Sequence, residues 1–131
     1  MRRGWLGLAA AALLLAGCGD STPPVTPPTP GTLTVSYQGT GASDGAMLLV
    51  VTGAVTSVEP VGGYRVASAP ISGGAETRIV VTGDLVPGDL VRLAVPDISK
   101  ADDYAANVEA VAHRATYALQ DPLTYTASIR R

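Results

Sequence analysis

The sequence predicts an all-β domain, an antiparallel β-sandwich of about seven to nine short strands. Three observations carry this. Apolar residues recur at every second position in several segments, the period of a strand with one buried face. Clusters of Gly, Pro and Asp interrupt those segments at strand-length intervals. The segments themselves are rich in Val, Ile, Thr and Tyr, which fit a pleated, half-buried surface.

The strands follow in order. Leu33, Val35 and Tyr37 alternate with Thr32, Thr34 and Ser36, giving a first strand, and a Gly-rich turn from Gly39 to Gly45 ends it. The apolar run Ala46 to Val51 reads as a strand buried on both faces. Val55 to Val58 is β-branched and stops at Pro60, and Tyr64 to Ala67 is another short strand. Thr77 to Thr82 is ended by Gly83-Asp84, and Leu90 to Val95 follows the turn Pro87-Gly88-Asp89 and stops at Pro96. Asp97 to Asp103 is polar and reads as a turn or a single helical turn. Tyr104 to Ala112 contains Ala and Glu, which also suit a helix, but its nine-residue alternation places it as a strand at the edge of a sandwich. Leu123, Tyr125, Ala127 and Ile129 alternate with Thr124, Thr126, Ser128 and Arg130 in a final strand.

The chain divides into three parts: residues 1–17, 18–31 and 32–131. The first begins with Met1-Arg2-Arg3 and continues as an apolar stretch from Trp5 to Ala16. That stretch is shorter than the roughly 20 residues a permanent transmembrane helix needs, and it suits the apolar core of a signal peptide. Leu15-Ala16-Gly17-Cys18 then resembles the lipobox of bacterial lipoproteins. The resemblance implies cleavage between Gly17 and Cys18 and acylation of Cys18, the only cysteine. It therefore implies a lipid bilayer as the first partner and an extracytoplasmic address in the cell envelope. By the same resemblance, Gly19 rather than Asp after the cysteine implies the outer membrane in a two-membrane cell. Each buried methylene contributes about 0.8 kcal/mol, so two or more acyl chains give stable attachment.

Asp20 to Gly31 holds five prolines in twelve residues. Proline fixes φ and removes a donor, so polyproline II is the expected conformation and a spacer the expected role. Fully extended, it reaches roughly 35–40 Å. The remaining hundred or so residues match one ordinary domain. The order of its segments also resembles a cohesin-type or jelly-roll-like sandwich, the former a fold shared with some carbohydrate-binding modules. TLTVSY, the Asp44-Gly45 turn before AMLLVV, TRIVVTGDL, GDLVRLAVPD and YAANVEAVA occur in a similar sequence. The likeness is one of rhythm, and a fold alone assigns no function.

The formal charge is −2, and it becomes −4 once Arg2 and Arg3 are cut away, with eleven acids against seven bases. Such a balance lacks the basic footprint of a nucleic-acid binder. His113 is the only histidine, and no Gly-x-Ser-x-Gly element accompanies it. His113-Arg114 reads as a solvated turn, so no catalytic residue is assigned and no enzyme is expected. The Cys and His counts exclude thiolate–imidazole metal sites. Asp97, Ser99, Asp102 and Asp103 resemble a calcium loop only loosely, with Ala101 at a ligand position, and read as turn acids with Asp97 as a cap. No metal or cofactor is therefore expected. Of the tyrosines, Tyr104 and Tyr125 fall on apolar sets and read as core. Tyr64, beside Gly62-Gly63, is the candidate for exposure and ligand contact. The expected role is a non-enzymatic sandwich that binds an envelope protein or supports the envelope. A carbohydrate-binding module is the alternative, and a hydrolase comes third.

Overall fold

The computed structural model describes residues 25–41 and 43–131. The signal region, the cut between Gly17 and Cys18 and the first part of the linker lie outside the described residues. Residues 25–30 of the linker are exposed and without regular structure. The domain reaches back to Thr29, whose carbonyl accepts the Ile98 amide at 2.8 Å.

Among the described residues, nine strands form two antiparallel sheets. They are β1 (Gly31–Gly39), β2 (Asp44–Thr52), β3 (Ser57–Pro60), β4 (Arg65–Ile71), β5 (Glu76–Leu85), β6 (Gly88–Val95), β7 (Ala105–His113), β8 (Leu119–Gln120) and β9 (Tyr125–Arg130). One sheet has the order β3-β6-β1-β9 and the other β4-β5-β2-β7-β8. Short 3₁₀ turns at Ser72–Gly74, Ile98–Asp103 and Pro122–Thr124 join them. Two sheets packed face to face are the sandwich that the alternating segments predict.

The core follows from that alternation. Leu33, Val35 and Tyr37 point inward from β1 and meet Met47, Leu49 and Val51 of β2, with Ile79, Val81, Val91 and Leu93 closing the interior. All ten of these side chains are essentially inaccessible to solvent. Each contributes roughly 1.5–3 kcal/mol by leaving water. Among the described residues, no buried side-chain polar atom lacks a hydrogen-bond partner.

Local differences from the sequence-based expectation have physical causes. β3 spans Ser57–Pro60 rather than Val55–Val58, and Pro60 is tolerated within it because β3 is an edge strand. β4 runs to Ile71 through Pro70, which is tolerated because β4 is an edge strand. β5 continues past Gly83-Asp84 to Leu85, which returns to the core. Leu123 and Thr124 belong to a 3₁₀ turn capped by Asp121, whose carboxylate accepts the Leu123 amide at 3.0 Å, so β9 starts at Tyr125. β7 is a strand, and only the two-residue β8 separates it from the sheet edge. The pairing Leu48↔Ala110 beside Leu49↔Val108 leaves Glu109 as a bulge. The bulge switches the inward set from Ala106 and Val108 to Val111.

Candidate functional site

The two outer faces of the sandwich differ in chemistry. The four-stranded sheet turns Thr34 and Ser36 of β1, Arg92 of β6, Glu59 of β3 and Ser128 and Arg130 of β9 to solvent. Ser36 and Ser128 share a hydrogen bond of 3.0 Å, and Arg130 meets Asp89 at 2.6 Å. This is an ordinary solvated surface. The five-stranded sheet instead aligns Ala67, Val80, Leu48 and Ala110 in one cross-strand row. Arg65, Thr82, Ala46, Ala112 and Leu119 form the next row, which is apolar over its last three members. Val80 is 40% exposed and Leu119 78% exposed. The run Ala46 to Val51 was expected to be buried on both faces. Its inward side chains are, but on the outer face only Val50 is fully covered and Leu48 is half-buried. Arg78 of β5 and Glu109 of β7 approach to 3.9 Å across β2, so the pair passes over its outer face and bounds the apolar rows.

β2 is clamped by tyrosines at both ends. At its start, Asp44 is 1% exposed. The Tyr125 hydroxyl donates to Asp44 Oδ1 at 2.7 Å and the Tyr37 hydroxyl to Oδ2 at 3.4 Å. The two rings lie 6.2 Å apart at 34°. Burial, and then the Asp44 charge, push the Tyr37 hydroxyl well above its ordinary pKa. Burial and then the hydrogen bond to Asp44 push that of Tyr125 up to about 12. The sequence reading placed Asp44 in a turn, as Asp-Gly pairs usually are. Here two donors satisfy its carboxylate, so it opens a strand instead. At the far end, the Tyr104 hydroxyl donates to the Ala54 carbonyl at 2.6 Å, over Gly53.

A shallow cleft of about 340 Å³ opens beside the start of β2. Its floor is Gly45, Ala46 and Ala112, and its walls are Asp84, His113, Arg114 and Tyr117. The segment between β7 and β8 is held by its own hydrogen bonds. The His113 amide donates to Ala118 O at 2.9 Å, and the Tyr117 amide donates to His113 O at 2.9 Å. His113 Nδ1 accepts the amides of Ala115 and Thr116 at 3.2 and 3.3 Å. With Nδ1 an acceptor, the ring proton sits on Nε2 and makes that atom a donor. The Arg114 amide ties the segment to Ser43 O at 2.7 Å, and its guanidinium pairs with Asp84 at 2.8 Å. Tyr117 stands outward, 81% exposed.

The residues singled out from sequence fall as follows. Cys18 and Gly17 lie outside the described residues. Tyr64 is half-buried; its ring packs over Gly83 and its hydroxyl accepts the Val86 amide at 3.2 Å. The strongly exposed tyrosine is Tyr117, which sequence reasoning did not single out because exposure in a turn leaves no periodic signal. Asp97 caps the 3₁₀ turn after β6, accepting the Ser99 hydroxyl at 2.7 Å and its amide at 3.1 Å. Those bonds, the hydroxyl first, hold its carboxyl below the usual range. Among the described residues, no three His, Cys, Asp or Glu side chains are grouped to hold a metal ion, and no hydrogen bond joins His113 to a Ser or Asp side chain. No helix among them is long and apolar enough to cross a membrane. No family model, curated protein or solved structure matches the chain.

Proposed function

We propose that the chain is a membrane-anchored envelope lipoprotein, held by acylated Cys18, that presents a small non-enzymatic β-sandwich to a protein partner. The observation that carries the binding half is the apolar outer face of the five-stranded sheet. A sheet face exposed to water normally carries polar side chains, as the opposite sheet does. Here Ala67, Val80, Leu48, Ala110 and Leu119 take their place, and contiguous exposed apolar area marks an interaction surface.

The rim points to a protein rather than a lipid surface. Arg78 and Glu109, and Arg114 and Asp84, set paired opposite charges around the apolar rows, with Arg65 at the β4 edge. A mixed polar rim around an apolar centre is the anatomy of a protein interface. Attraction to anionic lipid needs a basic excess, and the mature chain is acidic by the count above.

The test is retention of solubilised envelope proteins by the immobilised chain. Val80→Glu places a charge in the centre of the face, and Thr126→Glu places one on the opposite sheet. Both sites are exposed, so each variant is expected to stay within about 0.5 kcal/mol of the native stability. The native chain and Thr126→Glu should retain the same protein, and Val80→Glu should lose it. Equal retention by all three would remove the outer face as the docking surface.

A further inference from the structure

We propose that the cleft between the β7–β8 turn and the end of β5 is a binding site for one unit of an uncharged saccharide. It adjoins the docking face: Ala46, Thr82 and Ala112 line both, and Arg114 and Asp84 stand on that face's rim, while Tyr117 belongs to the cleft alone.

Tyr117 has φ +59°, in the left-handed region that bulky side chains avoid, where Gly or Asn would be at ease. No burial compensates, because the ring is 81% exposed. Five hydrogen bonds of the turn hold this arrangement, two of them through His113 Nδ1. The fold therefore maintains an unfavourable backbone to present a bare aromatic face at the cleft wall. Such strain, where the surroundings over-determine it, is a feature of ligand sites.

The polar groups define the ligand. Arg114 and Asp84 neutralise each other at 2.8 Å, so the wall offers guanidinium donors and a carboxylate acceptor without net charge. A free anion or cation gains little there. His113 and Thr82 also line the cleft. A ligand that uses donors and acceptors together, is uncharged, and has a flat apolar C–H face for the tyrosine ring is a pyranose. The floor of Gly45, Ala46 and Ala112 leaves room for it, and about 340 Å³ stands at the small end of the roughly 300–1,000 Å³ range of ligand sites.

Saturation-transfer NMR and calorimetry on the full chain test this. The probes are methyl glucoside, methyl mannoside, N-acetylglucosamine, cellobiose and diacetylchitobiose, with glucuronate and glucosamine as charged comparators. At least one neutral probe should bind with Kd tighter than about 10 mM, ahead of both charged ones. Tyr117→Asn should weaken it by about tenfold or more, while the thermal midpoint rises by about 2–6 °C as the backbone strain is relieved. Tyr117→Phe should keep the affinity within about threefold, since the ring face remains. Asp84→Asn should weaken binding, and Val80→Glu should leave it unchanged, which separates this site from the protein-docking face. No neutral probe binding in that range, tighter binding of a charged sugar, or full affinity in Tyr117→Asn would each overturn the proposal.

Discussion

Asp44→Ala is expected to lower the stability of the domain by about 2–4 kcal/mol, because it strands two tyrosine hydroxyls at the start of β2. A buried donor left without an acceptor costs about 1–3 kcal/mol. Tyr37 is fully buried and Tyr125 nearly so, and Asp44 is the side-chain acceptor for both. The bond from Tyr125 at 2.7 Å is the stronger, and that from Tyr37 at 3.4 Å adds less. Removing a buried carboxylate also relieves its desolvation, which offsets part of the loss but leaves the hydroxyls dry. Against a typical domain stability of about 5–15 kcal/mol the effect is large. Thermal or urea denaturation reads it, and Asp44→Asn, which keeps one acceptor oxygen, should lose less.

The same cluster gives a signature at high pH. The Tyr125 hydroxyl is raised to about 12, so the folded chain keeps a proton that the unfolded chain releases near 10. Its contribution to stability is complete below pH 10 and falls as pH rises toward 12, since the native state then binds more protons than the unfolded one. In Asp44→Ala the hydrogen bond and the repelling charge vanish while burial remains. Tyr125 should then ionise at lower pH in an absorbance titration.

Gly53→Ala is expected to cost about 2–4 kcal/mol at the other end of β2. Gly53 has φ +116°, a conformation that only glycine adopts readily. A methyl group there would also lie 2.5 Å from Cδ1 and Cε1 of Tyr104. The ring cannot simply turn away without losing the bond from its hydroxyl to Ala54 O. Backbone strain of about 1–3 kcal/mol and the displaced tyrosine therefore add. Gly88→Ala isolates the first of these effects. Gly88 also has a φ outside the left-handed helical region, +133°, but nothing lies within 4 Å of the added carbon. Its cost should stay near 1–3 kcal/mol. Equal losses at both positions in thermal denaturation would show that the Tyr104 contact contributes nothing.

The strands were legible wherever one face is core and the other water. Leu33, Val35 and Tyr37 against Thr34 and Ser36 is such a case, and the structure keeps every assignment. Legibility failed where neighbours in space, rather than neighbours in sequence, decide. Asp44 reads as a turn former until Tyr125, 81 residues away, supplies its donor. The outer face was hidden for a related reason: an unbroken apolar run looks the same whether its second face is covered or open. The turn at Tyr117 depends on φ and on bonds to His113, neither of which leaves a mark in residue spacing. β8 pairs only Val111 and Ala112, too short a ladder to carry a period.

Anchoring at Cys18 is the centre of the proposed function, because the proposed docking face and sugar cleft would act in the envelope only if the chain is held there. The most direct measurement is the mass of the intact protein extracted from cell membranes with detergent, together with that of its N-terminal peptide. The predicted result is a chain that starts at Cys18, has lost residues 1–17, and carries the added mass of two or three acyl chains on that residue. A chain with a free Cys18 thiol, or one that still begins at Met1, would contradict it.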